Sequence, residues 1–174
     1  MTLDKMLKYP FCAAVLAVAT TGAALAWSEE TTNERDYNGV CDYVPEAQCA
    51  GAIRMDADMS GVDMTDASMT TMRLDRANLS RATLTRAILH MTNLVDANLM
   101  FADLTGAHMH AVNLRGADLT MANLTGVNLL DADLRGANLL GAKITDAILI
   151  EANFVGATWT DGRICAEGSI GECK

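Results

Sequence analysis

Two sets of side chains in this chain have the types and spacing to do chemistry. The first is histidine: all three, His90, His108 and His110, fall in one short stretch. Imidazoles brought together could ligate zinc or copper. The second is cysteine, at positions 12, 41, 49, 165 and 173. Cys41 and Cys49 form one close pair in sequence, Cys165 and Cys173 another. Such thiols serve either as disulfides or as a four-thiolate zinc site, and four cysteines permit three pairings. No glycine-rich phosphate loop and no Ser-His-Asp order accompanies them, so an enzyme is not expected. Which groups meet depends on the elements that carry them.

Those elements are set by a repeat. A large apolar residue recurs at every fifth position from Met59, through Leu79, Leu99, Leu119 and Leu139, to Trp159, 21 times without a slip. Two residues before each stands a small one, and Ala fills 16 of these 21 places. A period of five fits neither a helix nor a flat strand. The Ala and the large residue are two apart, so both point to one side of an extended segment. The residue between them faces outward, and two more turn the chain. Four such segments close a square coil, with the next coil about 4.8 Å above it. No Pro interrupts the repeats, as a continuous ladder requires. Gly61, Gly106, Gly116, Gly126, Gly136, Gly141 and Gly156 share the last repeat position, where the turn calls for positive φ.

The stretches Ala77-Asn78-Leu79, Ala97-Asn98-Leu99, Ala102-Asp103-Leu104, Ala117-Asp118-Leu119, Ala132-Asp133-Leu134 and Ala137-Asn138-Leu139 carry an A-(D/N)-L pattern unaltered. In this the chain resembles the pentapeptide-repeat family over about three fifths of its length. The resemblance implies an all-β fold, a right-handed quadrilateral β-helix, here of about five coils. Val62, Met72, Thr92, Val112 and Val127 depart from the usual Ala without breaking the register.

The N-terminus reads differently. Lys5 and Lys8 precede the apolar run from Phe11 to Ala19, and Ala24-Leu25-Ala26 fits a small-x-small cleavage site. Residues 1–26 are expected to be a secretory signal peptide. The run is too short to span a membrane comfortably, so no stable span is expected in the mature protein. The expected location is exported, periplasmic or secreted. Residues 27–54 form an N-terminal cap segment, 55–159 the β-helix and 160–174 a C-terminal cap. The repeats place Cys41 and Cys49 at one end and Cys165 and Cys173 at the other. A disulfide needs Cα atoms within about 7 Å, so Cys41–Cys49 and Cys165–Cys173 are the expected bonds, and a shared zinc site is excluded. The tail from Ala157 to Cys173 also looks like the closing segment of exported pentapeptide-repeat proteins.

The formal charge is −9, and loss of Asp4, Lys5 and Lys8 with the leader makes it one unit more acidic. Nucleic-acid binding needs a basic stripe, so it is not expected. The resemblance implies an alternative, because some members of the family are acidic rods that occupy the DNA site of gyrase. Export argues against that role, since gyrase is cytoplasmic.

Stacking residues twenty apart lines up the walls. Thr65, Thr85, Thr105, Thr125 and Thr145 form one column, read as a structural ladder. His90 lies below His110, with His108 on the same outward side, giving an alternative role in surface metal binding. No cofactor is otherwise implied. Met100, Phe101, Met121 and Leu140 gather on one wall and Leu130, Ile148 and Ile150 on the wall opposite. Contiguous outward apolar residues mark contacts. The expected function is that of a rigid scaffold or protein-interaction module, with an unidentified partner or a second copy as in a homodimer.

Overall fold

The computed structural model describes residues 41–174. They lie within one compact unit, Asn33–Lys174; the other, Met1–Thr32, falls outside the described residues together with the expected leader.

Every outward residue between the Ala and the large apolar side chain makes a parallel bridge with the residue twenty positions on, from Gln48↔Ser68 to Asn138↔Thr158. Twenty residues are four pentapeptides, so one turn of the coil has four sides. The ladder begins at Gln48, ahead of the expected boundary at 55, because the five-residue phase already runs through the cap segment. Cys49 stands at an interior position and is buried, its amide donating to Ser68 O at 2.7 Å.

Each repeat with a coil above and below it bonds its backbone in three ways. Leu104 N donates upward to Asn123 O at 2.8 Å, and Asp103 N downward to Ala82 O at 2.9 Å. Ala107 N donates back to Leu104 O at 2.9 Å, closing a four-residue turn. The third residue of that turn takes positive φ at every corner from Glu46 to Gly156. Glycine suits it, and Gly126 adopts φ 66° with nothing within 4 Å of where a Cβ would lie. The fold nevertheless imposes the same conformation on Phe101 (φ 59°), Ala111 (φ 54°) and Met121 (φ 57°).

Asp or Asn before the large residue has a local reason. Its Oδ1 accepts from the backbone N–H two residues on, as in Asp118 with Thr120 at 2.9 Å and Asn128 with Leu130 at 3.1 Å. The side chain thereby fixes the approach to the corner.

The interior is a filled column. Met59, Met64, Met69 and every Leu from Leu74 to Leu139 at this position are buried, with Ala packed beside them. Each buried Leu contributes about 1.5–3 kcal/mol relative to exposure. Thr92 fits an Ala position because its hydroxyl donates to Met69 O at 2.7 Å. The ladder continues through it and through Met72, since Asn113 N reaches Thr92 O and Asn93 N reaches Met72 O.

The top of the column closes with Phe154 and Trp159, whose rings meet edge to face with centroids 5.0 Å apart. The tail doubles back over them, with antiparallel bridges Asn153↔Ile170 and Thr158↔Ile164. Gly171 N donates to Ala152 O and Cys165 N to Ala157 O, both at 2.8 Å. This covers two of the four sides, because the Cys165–Cys173 loop takes up the rest of the tail. On the other two sides the N–H groups of Ile144, Asp146, Leu149 and Glu151 and the C=O groups of Ala142 and Ala147 have no hydrogen-bond partner among the described residues. Ile144, Ala147 and Leu149 are correspondingly only half-buried.

Candidate functional site

The cysteines pair within each end. Cys41–Cys49 and Cys165–Cys173 are both bonded, each with Cα atoms 4.9 Å apart. They serve as staples of the first and last segments, and Cys12 lies outside the described residues.

The three histidines do come together. The wall built on Gln48, Ser68, Ile88, His108, Asn128 and Ile148 carries them all. His108 takes a bridging position, while His90 and His110 occupy the turn of successive coils. The His90 ring centroid is 6.1 Å from that of His108 and 6.0 Å from that of His110. His110 Nε2 lies 3.4 Å from Asp131 Oδ2, a carboxylate of the following coil. His90 Nδ1 is buried and has no hydrogen-bond partner. Burial, followed by the charges of His108 and His110, pushes the His90 pKa below the usual imidazole value, favouring the neutral ring. Among the described residues, no three His, Cys, Asp or Glu side chains are already arranged to hold a metal ion.

This wall also carries apolar side chains. Ile148 and Ile150 are exposed and Leu130 half-buried, as the column rule expects. Ile88 and Met91, not anticipated, are exposed beside the histidines. Ile88 was findable, since it lies in register with His108 and Ile148.

The wall opposite is built on Asp58, Asn78, Asn98, Asp118, Asn138 and Thr158. Phe101, Met121 and Leu140 are exposed on it and Met100 is half-buried. The Arg81 guanidinium lies 5.6 Å from the centre of the Phe101 ring, one coil below, a favourable cation–π placement.

The remaining walls are polar and internally bonded. On one, Thr65, Thr105 and Thr125 donate to the Asp63, Asp103 and Asn123 side chains, and Asn123 Nδ2 reaches Thr105 Oγ1 at 2.8 Å. The threonine column is thus tied into the ladder. On the other, Val95, Asp96, Arg115, Gly116 and Arg135 line a shallow depression of about 440 Å³. Arg135 is engaged there by Asp133 through two hydrogen bonds of 2.8 and 2.6 Å. No helix among the described residues is long and apolar enough to cross a membrane.

No protein of curated function matches the chain. Solved structures do. HetL, a pentapeptide repeat protein involved in heterocyst differentiation regulation from Nostoc sp. strain PCC 7120, is 33% identical over 68% of this chain, with TM-score 0.41. The match takes in 64% of HetL's own length. Rfr23, from the cyanobacterium Cyanothece 51142, is 29% identical over 64% of this chain and 90% of its own, with TM-score 0.39. A pentapeptide repeat protein of the Arabidopsis thaliana thylakoid lumen is 31% identical over 66% of this chain and 70% of its own, with TM-score 0.30. The family profile for Pentapeptide repeats matches in eight copies, over residues 55–90, 72–99, 92–130 and 122–158. That tandem match spans more than half of the chain, and the chain belongs to the pentapeptide repeat family.

Proposed function

We propose that this protein is an exported, non-catalytic scaffold whose outer walls bind another protein or a second copy of itself. On this reading the coil is right-handed and makes about five turns. The carrying observation is the pair of apolar patches on opposite walls. Phe101 and Met121 are 52% and 56% exposed on one, and Ile148 and Ile150 are 45% and 62% exposed on the other. Elsewhere the outward positions are mostly Asp, Asn, Thr and Arg, so the repeat itself does not call for these side chains. Catalysis has little to work with, because the interior is packed with Leu and Ala. The signal-like N-terminus and the two disulfides support export, since such bonds persist in oxidising compartments. The DNA-mimic alternative draws on the family resemblance and the acidic charge of the solenoid, −9 over the chain, and export would keep it from a cytoplasmic enzyme.

The test is cross-linking of the protein in its native compartment, with mass in solution measured alongside. One retained partner, or a dimer, lost on Phe101→Asp or Ile150→Asp would establish the module and its face. A monomer that retains nothing, alike in wild type and both variants, would overturn it.

A further inference from the structure

We propose that the histidine wall holds one divalent transition-metal ion of the copper–zinc group, ligated by His90, His108, His110 and the carboxylate of Asp131. Three features of the geometry point there.

The first is the spacing of His110 and Asp131. Their Nε2 and Oδ2 atoms are 3.4 Å apart. That is long for a hydrogen bond, which runs to about 3.2 Å. It matches the edge of a tetrahedron whose metal–ligand bonds are about 2.0–2.1 Å, an edge of about 3.3 Å. Two donors therefore already stand at ligand spacing.

The second is the position of the other two rings. Two imidazoles sharing one tetrahedral ion have centroids about 5 Å apart. The rings of His90 and His108, and of His90 and His110, are 6.1 and 6.0 Å apart. Side-chain rotation of the exposed His108, and of the half-exposed His110 together with the exposed Asp131, would supply the missing ångström. That is why no three of these groups yet converge on one point. The rigid ladder beneath supplies fixed Cα positions, with the donors drawn from three successive coils.

The third is His90 Nδ1, a buried nitrogen without a hydrogen-bond partner. The two other such atoms, Asp75 Oδ2 and Asn93 Oδ1, have a different setting: Asp75 Oδ2 has Arg73 Nε 3.4 Å away, and Asn93 bonds Asp75 through its Nδ2. The His90 ring instead faces two further imidazoles, His108 and His110, with centroids 6.1 and 6.0 Å away. Three imidazoles and one carboxylate form a set that suits Cu2+ and Zn2+ and disfavours Ca2+ or Mg2+.

The experiment is calorimetric titration of the purified protein at pH 7.5 with Cu2+ and, separately, Zn2+, with paramagnetic resonance of the copper sample. The expected result is one equivalent bound, with nitrogen hyperfine structure from more than one imidazole. His90→Ala and His110→Ala should each weaken it by about tenfold or more, and Asp131→Asn by a smaller factor. All of these side chains lie on the outer wall, so the variants should keep the wild-type circular dichroism, which is recorded alongside. Absence of heat with either metal overturns the proposal. So does binding that survives the His90→Ala, His110→Ala double variant, since the metal would then sit elsewhere on the chain.

Discussion

Arg76 and Asp56 are twenty residues apart in sequence and one coil apart in space, joined by two hydrogen bonds of 2.7 Å. Arg86 and Asp66 repeat the relationship at the corner two sides on, with Nε to Oδ1 at 2.8 Å. Both pairs stand at corner positions, where the side chain projects along the column instead of into it. They bind neighbouring coils from outside, in parallel with the backbone ladder.

Those arginines hold the Asp56 and Asp66 carboxyls below the ordinary carboxylate range, first by hydrogen bonding. Arg135 does the same to Asp133. A carboxylate whose folded pKa is depressed adds stability above its unfolded value of about 3.9, and that stability is lost as pH falls through the folded value. Thermal unfolding should therefore be insensitive to these groups from pH 5 to 8 and should weaken below about pH 4. Asp66→Asn, Asp133→Asn and their combination should progressively reduce the acid-dependent loss. A double variant with the wild-type acid profile would show the pairs to be idle.

His90 adds a second window. Its folded pKa is lowered by burial and by the other two imidazoles, so its contribution is full above about pH 6.5 and is lost on acidification through the folded value. In metal-free buffer, stability should decline from pH 7.5 to 5.5, and His90→Gln should flatten that slope. Histidine ring proton shifts against pH would follow the same group directly.

Interior truncations should report position along the column. Leu104→Ala removes a buried side chain enclosed by coils above and below, and should cost about 2–5 kcal/mol in denaturant unfolding. Leu149→Ala lies on the half-closed last coil, where the side chain is only partly buried, and should cost clearly less. Equal costs would mean that the last coil is as well packed as the middle.

The corners permit an opposite pair of substitutions. Gly126→Ala meets no atom, so its cost is conformational, about 1 kcal/mol. Ala111→Gly relaxes a non-glycine residue at φ 54°, and should be neutral to stabilising by up to about 1 kcal/mol despite the freer unfolded chain. Unfolding midpoints at constant denaturant slope would decide both.

The column of Leu79, Leu99, Leu119 and Leu139 was legible because one residue type at one phase has one place to go. The pairing Cys41–Cys49 and Cys165–Cys173 followed from the ends being far apart. The histidine cluster was legible by stacking residues twenty apart. Asp131 was not, because it belongs to the corner beside Leu130 and reaches His110 only through side-chain direction. Phe101 and Met121 at positive φ were equally hidden, since propensity alone places glycine there and only the closed ladder forces the exception. Where the tail would stop covering the final coil depended on how much chain the Cys165–Cys173 loop consumes, which spacing does not reveal.

The uncovered rim of that coil has an electrical character. At the ladder positions that bond the next coil elsewhere, it presents four amide hydrogens against two carbonyl oxygens, so that end of the backbone is electropositive, in a chain whose formal charge is −9. This is the end of a stack of parallel peptide groups, and it plays the part that a helix N-terminus plays without any helix. An extended chain that settles on it meets two N–H donors for each C=O acceptor.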